Sequence, residues 1–333
     1  MKNARPTLRT IAEATGLSMS TVSLALRGGA NLKADTTQKV RAAADHLGYV
    51  PDKASVLLRT GRADTIGIVL DGRDDSVGFS RNLIRGINDS VGERGITLNV
   101  YPEFDRSTSE RTIRMLAESG FVDGLILTHT EPQDRRVKML LEMNFPFVTH
   151  GRTELFTPHA HHDFDSALFV EMGLKALADA GSKNILAVLS DNETLNHLNI
   201  SRAFEKCLRT LGLQGDVFKD RPDPERHVAE VRELGIKLAH DGMQFDGILC
   251  DNELVAISLA TGLRDAGIVV GGPLHMVSKQ TSNLLAALYP NVIGLQEQVY
   301  DAGRELSRLL FERIAGVVVA ELQTIATPKF RVV

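Results

Sequence analysis

Apolar residues recur at helical spacing in three short segments close to the amino terminus. In residues 8–15 they fall on one helical face, and Gly16 follows where that helix should end. Ser18 is a favourable N-cap for a second helix over Met19–Arg27, and a third helix is predicted over residues 35–47. Two short helices separated by a glycine-containing turn form a helix-turn-helix, whose second helix enters the major groove of DNA.

A different pattern starts near residue 65, where short apolar runs alternate with amphipathic segments as far as the carboxyl terminus. Thr65–Asp71 and Val122–Thr128 have the composition of buried strands, and Arg81–Arg94 has the period of a helix. This alternation predicts parallel sheets covered by helices on both faces. The run VDGLIL at residues 122–127 returns as FDGILC at residues 245–250, which indicates two copies of one α/β architecture.

The charged residues divide the chain at about the same place. Residues 1–62 contain ten Lys and Arg and four acidic residues, a net charge of +6, whereas the whole chain has a net charge of -4. The other 271 residues therefore carry a net charge of -10. A basic head on an acidic body is expected where only the head meets DNA phosphates, although a solvated basic face would give the same charges.

Motifs at fixed spacing connect this head to a known family. The stretch TLRTIAEATGLSMSTVSLAL at residues 7–26, with LGYVP at residues 47–51 and LRTGR at residues 58–62, resembles the head and hinge of the lac repressor (LacI/GalR) family. The resemblance extends over nearly the whole chain. It implies a sequence-specific DNA-binding transcriptional regulator, most often a repressor, that binds a pseudo-palindromic operator as a homodimer.

The fold that follows is α/β, with a helical helix-turn-helix head and a two-lobed, periplasmic-binding-protein-like body built on parallel sheets. The predicted boundaries are a head over residues 1–50, a hinge helix and linker over 51–62, and an effector-binding and dimerisation body over 63–333. Within the body, lobe one should comprise about 63–160 and 293–322, and lobe two about 161–292 and 323–333.

The resemblance also implies roles for single residues of the head and hinge. Met19 and Ser20 occupy positions that face base edges, and nearby hydroxyl groups suit phosphate contacts. Leu24 stands where the family usually has an arginine, so it offers a base only apolar contact. Leu58 falls at the position of a minor-groove wedge, although it could instead cap the core of the body. The predicted DNA-contacting residues are Thr7, Ser18, Met19, Ser20, Thr21, Ser23, Leu24, Arg27 and Leu58.

A small-molecule effector should bind between the lobes, because open α/β sheets bind ligands at the carboxyl ends of their strands. Ile200 replaces a ligand-binding arginine of the family, and SKQTS at residues 278–282 replaces an acidic motif. These departures favour a neutral, polyhydroxylated ligand such as a sugar, and Lys279 leaves a sugar phosphate open. Arg152 could instead be a structural ion-pair partner, and Lys279 a solvated charge. The predicted effector-binding residues are Phe79, Arg81, Arg152, Asn199, Asn252, Lys279 and Gln280.

Several classes of protein are disfavoured by what the sequence lacks. It has no phosphate-binding loop and no catalytic constellation, so we expect no enzyme activity and no cofactor. The histidines near residue 160 have no second cluster at metal-binding spacing, so we expect no metal. The amino terminus has no apolar signal segment, and no apolar run approaches the length of a membrane span, which favours a cytoplasmic protein. The alternatives are a sugar-processing enzyme with a regulatory DNA-binding head and an exported transport protein.

Overall fold

The structure is a computed structural model that describes residues 6–26, 32–49, 62–72, 78–189, 193–218 and 227–331. The chain separates into two compact units, residues 1–63 and 64–333. In the described part of the first unit there are three helices: α1 (Leu8–Thr15), α2 (Met19–Leu26) and α3 (Ala34–Leu47).

The helices of the head pack around one small apolar core. Ile11, Val22 and Val40 are fully buried there, one from each helix. Gly16 takes a φ of 70°, a left-handed conformation that suits glycine, and its N–H donates to the carbonyl of Ala12 to close α1. The predicted helix-turn-helix is therefore confirmed, with the second helix starting at the predicted residue.

The second unit contains two lobes, each built on a six-stranded sheet. The order in lobe one is β11-β5-β4-β3-β1-β2, and all of its pairings are parallel. Its strands and helices are β1 (Thr65–Asp71), α4 (Phe79–Gly92), β2 (Thr97–Glu103), α5 (Arg106–Ser119), β3 (Gly124–Leu127), α6 (Arg135–Glu142), β4 (Phe147–His150), β5 (His161–Phe164), α12 (Val299–Ile314) and β11 (Gln323–Ala326).

Lobe two repeats this plan with the order β12-β10-β9-β8-β6-β7, in which only β12 is antiparallel. Its strands and helices are α7 (Ser166–Asp179), β6 (Asn184–Val188), α8 (Leu195–Leu211), β7 (Gln214–Val217), α9 (His227–His240), β8 (Gly247–Cys250), α10 (Glu253–Asp265), β9 (His275–Gln280), α11 (Leu284–Leu288), β10 (Ile293–Gln296) and β12 (Lys329–Phe330). The predicted fold class is confirmed by these two parallel sheets.

The predicted lobe boundaries need correction at three strands. β5 and β11 belong to the sheet of lobe one, and β10 belongs to the sheet of lobe two, the reverse of the sequence-based assignment. The reason is that strand pairing decides membership: β5 pairs with β4 and β11, and β10 pairs with β9 and β12. The chain therefore passes between the lobes after β5, after β10 and after β11.

Some elements have no clear signal in the sequence. The polar strand β5 reads HHDF, yet all four of its residues are buried. Helix α8 begins at Leu195, with Thr194 as its N-cap. None of the helices within the described ranges is long and apolar enough to cross a bilayer.

Candidate functional site

The amino end of α2 carries a cluster of hydroxyl groups that hydrogen bond to one another. Ser18 Oγ accepts from the backbone N–H of Thr21 at 3.1 Å, which caps the helix. The same oxygen lies 2.8 Å from Ser20 Oγ and 2.7 Å from Thr21 Oγ1. Thr7 caps α1 in the same way, by accepting from the N–H of Thr10 at 3.3 Å. Two helix amino termini that end in hydroxyl groups suit the binding of phosphate.

The outer face of α2 exposes an apolar side chain where a base contact is predicted. Met19 is 54% exposed, whereas Ser23 and Leu24 are half-buried. A large exposed apolar residue beside hydroxyl groups, on a helix without acidic residues, fits a face that meets DNA. Arg27 and Leu58 lie outside the described residues.

The two lobes touch at the carboxyl ends of their strands. The side-chain amide of Asn82, in the first turns of α4, donates to the carbonyl of Thr281 at 3.1 Å. On another strand end, the backbone N–H of Leu195 at the start of α8 donates to the carbonyl of Thr130 at 2.9 Å. The strand-end loops of both sheets therefore face each other, as the sequence analysis expected for a ligand site.

A cavity of about 440 Å³ opens between the loop after β4 and helix α8. Arg152 and Asn199 both line it, so the structure brings these two predicted effector residues together. Across its rim, the Arg202 guanidinium lies 2.5 Å from the Glu154 carboxylate, which joins lobe two to lobe one. A space of this size accommodates a small polar ligand.

Arg152 is also a member of an ion pair, one of the two roles considered for it. Its Nε lies 2.5 Å from Oδ2 of Asp163, whose side chain is 8% exposed. The neighbouring Gly151 takes a φ of 104°, and a Cβ atom there would lie 2.5 Å from Thr130 Oγ1. The left-handed backbone and the close approach of Thr130 therefore favour glycine at this position.

Lys279 is neutralised rather than solvated. Its Nζ lies 3.3 Å from Oε2 of Glu297 and 5.6 Å from the centre of the Phe164 ring. Oε1 of Glu297 lies 3.2 Å from Nε2 of His150 in lobe one. Burial alone would raise the pKa of Glu297, but Lys279 and His150 lower it to about 2. Glu297 has no signal in the sequence, because its contacts are with residues 18 and 147 positions away.

Gln280 and Asn252 occupy buried positions at neighbouring strand ends. Gln280 is 1% exposed, and neither atom of its amide has a hydrogen-bond partner among the described residues. Asn252 Oδ1 accepts from the N–H of Leu254 at 2.7 Å and thereby caps α10. Gln280 therefore retains hydrogen-bonding capacity, whereas the side-chain oxygen of Asn252 is committed to a helix cap.

The other two predicted residues lie at the start of α4. Phe79 is buried in the core of lobe one, and its ring meets those of His129 and His150 edge-on at centroid distances of 5.7 and 5.3 Å. Arg81 is exposed, and it does not line the cavity beside Arg152. Phe79 therefore contacts the strand-end histidines from the core side.

A fully buried arginine holds the strand ends of lobe one, and the sequence analysis did not identify it. Arg136 is 2% exposed, and its guanidinium lies 2.7 Å from carboxylate oxygens of both Glu103 and Asp134. It also donates to the carbonyls of Thr128 and His129 at 3.1 and 3.2 Å. These bonds fix the loop after β3. The next residue of that loop, Thr130, accepts the hydrogen bond from the backbone N–H of Leu195 at the start of α8 in lobe two.

The histidines at this edge are buried and hydrogen bonded to protein groups. His159 Nε2 lies 3.0 Å from Thr149 Oγ1, and His162 Nδ1 lies 2.8 Å from Thr324 Oγ1. Burial, with a smaller contribution from neighbouring histidines, lowers the pKa of His159 and of His162 to about 4. No group of three or more potential metal ligands occurs within the ranges that the structure describes.

Family models match both parts of the chain. Residues 7–52 match the model described as bacterial regulatory proteins, lacI family, and residues 174–333 match a periplasmic binding protein-like domain. Over 332 residues the chain is 27% identical to the HTH-type transcriptional regulator RafR of Escherichia coli, which covers 97% of this chain and 96% of RafR.

Two solved structures share the fold over nearly the full length. The lac repressor dimer bound to operator and the anti-inducer ONPF has a TM-score of 0.85 at 17% identity, covering 98% of each chain. The complex of the transcriptional regulator CelR with cellobiose has a TM-score of 0.70 at 24% identity, covering 98% of this chain and 99% of CelR.

A helix-turn-helix head joined to two periplasmic-binding-protein-like lobes defines a DNA-binding transcriptional regulator. The chain belongs to the lac repressor (LacI/GalR) family, as the head motifs predicted. Its relatives CelR of Thermobifida fusca and RafR are HTH-type transcriptional regulators.

Proposed function

We propose that this protein is a cytoplasmic repressor that binds a pseudo-palindromic operator as a homodimer. Its affinity for the operator would rise or fall when a small polyhydroxylated ligand, a sugar or sugar derivative, binds. The single observation that carries this proposal is the combination, in one chain, of a hydroxyl-capped recognition helix and a cavity between two lobes. Catalysis has no support, because the cavity lining contains no nucleophile paired with a base.

In the head, Met19 and Ser20 would contact base edges, and Thr7, Ser18, Thr21 and Ser23 would contact phosphates. Leu24 would offer apolar contact, for example to a thymine methyl group. Arg27 and the wedge residue Leu58 remain predictions from the family resemblance. A two-fold dimer presents two such helices to two half-sites of one operator.

DNA binding by the basic head should depend steeply on salt. Each phosphate contact by Lys or Arg releases counterions, so the logarithm of the association constant should fall linearly with the logarithm of salt concentration. We expect a loss of at least tenfold between about 50 and 200 mM salt on a pseudo-palindromic site, measured by fluorescence anisotropy. An affinity that stays constant over this range would contradict DNA recognition by the head.

In the body, the ligand would bind where Arg152 and Asn199 line the cavity. Guanidinium groups donate to hydroxyl oxygens, whereas amides both donate and accept, which suits a polyhydroxylated ligand. The solved CelR structure of the same fold contains cellobiose, which agrees with a ligand of this class. Lys279 would act through its pair with Glu297 rather than as a free charge.

Replacing Asn199 with alanine should weaken the ligand response and leave operator affinity unchanged. The Asn199 side chain lines the cavity between the lobes. Helix α8 does not depend on it for capping, because Thr194 is the N-cap. We expect a loss of about tenfold in ligand affinity, the cost of a missing hydrogen bond to a bound polar group. Arg209→Ala, near the end of the same helix, is the matched control. An unchanged ligand response in Asn199→Ala would place the ligand elsewhere.

A further inference from the structure

We propose that the cavity between the loop after β4 and helix α8 binds a polyhydroxylated ligand that carries a phosphate group, and that Arg202 and Lys206 form its anion-binding subsite. This inference rests on the proposed function, because it assumes that the controlling ligand occupies this cavity. It goes further by assigning a charge to the ligand and by naming two residues that the sequence motifs do not indicate.

Basic side chains outnumber acidic ones around this cavity. Arg152, Arg202 and Lys206 line it, and Glu154 is the one carboxylate among the described residues of the lining. Arg152 and Arg202 each have a carboxylate partner, whereas Lys206 is exposed and forms no ion pair with a described residue. A phosphate group would supply the negative charge that this lining lacks, through charge-assisted hydrogen bonds.

The carboxylate partner of Arg202 can be replaced at little cost. The guanidinium lies 2.5 Å from the Glu154 carboxylate, but the two side chains are 55% and 40% exposed. Exposed ion pairs contribute little to stability, and water can solvate the released carboxylate. Arg202 and Lys206 are four residues apart on α8, so their side chains lie on the same face of the helix. The two cations can therefore bind one anionic group together.

Arg152 faces the same cavity from lobe one. Its Nε donates to the buried carboxylate of Asp163 at 2.5 Å, which orients the guanidinium, and its two Nη groups have no hydrogen-bond partner among the described residues. Donors therefore approach the cavity from both lobes. A phosphate group has three oxygens that point in different directions, whereas a carboxylate has two in one plane. Phosphate therefore suits donors on two sides better than a carboxylate does.

The rest of the lining suits the uncharged part of such a ligand. Thr153 and Asn199 line the cavity and can hydrogen bond to hydroxyl groups. Leu195 and Ala203 are buried and add apolar surface beside the cations, which strengthens the attraction of those cations for an anion. The volume of about 440 Å³ lies within the range of small-molecule sites. A sugar phosphate therefore matches the cavity in size, polarity and charge.

The test measures binding to the full-length protein by calorimetry, using neutral mono- and disaccharides and their phosphate esters as matched pairs, such as glucose and glucose 6-phosphate. The wild type should bind at least one ester about tenfold or more tightly than its neutral sugar, because hydrogen bonds to a charged group are the stronger ones. Lys206→Gln should reduce that preference by about tenfold, since glutamine removes the charge and keeps much of the side chain. Arg209→Gln, exposed on the same helix but outside the lining, should keep the wild-type preference.

Arg202→Gln should reduce the preference in the same way, whereas Glu154→Gln should strengthen ester binding, because it removes the carboxylate that competes for Arg202. Neutral sugars that bind the wild type as tightly as their esters would overturn the inference and leave the proposed function standing. Tighter binding of a uronic acid such as glucuronate than of the matched ester would also overturn it, in favour of a carboxylate ligand. An ester preference that survives unchanged in Lys206→Gln or Arg202→Gln would place the phosphate elsewhere and overturn the subsite. If no sugar, neutral or phosphorylated, binds the wild type, the proposed function fails and this inference fails with it.

Discussion

Replacing Arg136 with methionine should lower the free energy of unfolding of the body by about 3–5 kcal/mol, the usual cost of removing one partner from a buried ion pair. The guanidinium lies 2.7 Å from Oδ2 of Asp134, and Asp134 is 1% exposed. Burial alone would lower the pKa of Arg136, yet Asp134 and Glu103 raise it. Methionine fills similar space but leaves these carboxylates in the interior without Arg136.

Urea unfolding followed by circular dichroism measures this loss. Arg308→Met is the matched control, because Arg308 also pairs with two carboxylates, Glu305 and Glu312, but lies at the surface of α12. Exposed pairs contribute little, so the control should lose no more than about 1 kcal/mol. Equal losses in the two variants would mean that the buried network does not hold lobe one together.

The second large effect is a loss of stability in mild acid. His159 and His162 have an ordinary pKa of 6.5 when unfolded and a pKa of about 4 in the folded body, chiefly because burial disfavours the charged form. Between these values the unfolded chain binds more protons, so stability is lost as the pH falls below about 6.5. At pH 5 each histidine should cost about 2 kcal/mol relative to pH 7.5.

Thermal unfolding of the body between pH 7.5 and 5 tests this expectation. The double variant His159→Gln, His162→Gln should show a much smaller decrease, because glutamine hydrogen bonds without titrating. His240→Gln, at the exposed end of α9, should keep the decrease of the wild type. A wild-type body equally stable at pH 7.5 and pH 5 would show that these two imidazoles are not kept neutral by burial.

Local patterns in the sequence predicted most of the elements. The head was predicted from a helical period bounded by Gly16 and Ser18. Thr65–Asp71 was predicted to the residue because a short apolar run rich in β-branched residues favours a buried strand. The lobe boundaries could not be predicted in the same way. They depend on which strand pairs with which, and the buried strand β5 is made of polar residues.

The candidate site likewise contains residues whose partners are close in the sequence and residues whose partners are distant. Ser18 was identified as a helix cap because capping depends on residues three positions away, whereas Thr7 was predicted from the family resemblance and proves to cap α1. Arg136 was missed because only the fold buries it between the neighbouring Asp134 and the distant Glu103. Glu297 was missed because its partners, Lys279 and His150, lie far along the chain. Lys279 was correctly located at a strand end, but its charge is compensated by a residue that only the fold brings near.

In a ligand-controlled repressor, the ligand between the lobes and the DNA at the head must be thermodynamically coupled. The most direct test is calorimetric measurement of ligand affinity for the free protein and for the protein–operator complex. We predict that the two affinities differ by about 5–150-fold, and that the ligand changes operator affinity by the same factor, as linkage requires. Equal ligand affinity for the free and the operator-bound protein would contradict the account, because the body would then bind a ligand without controlling the head.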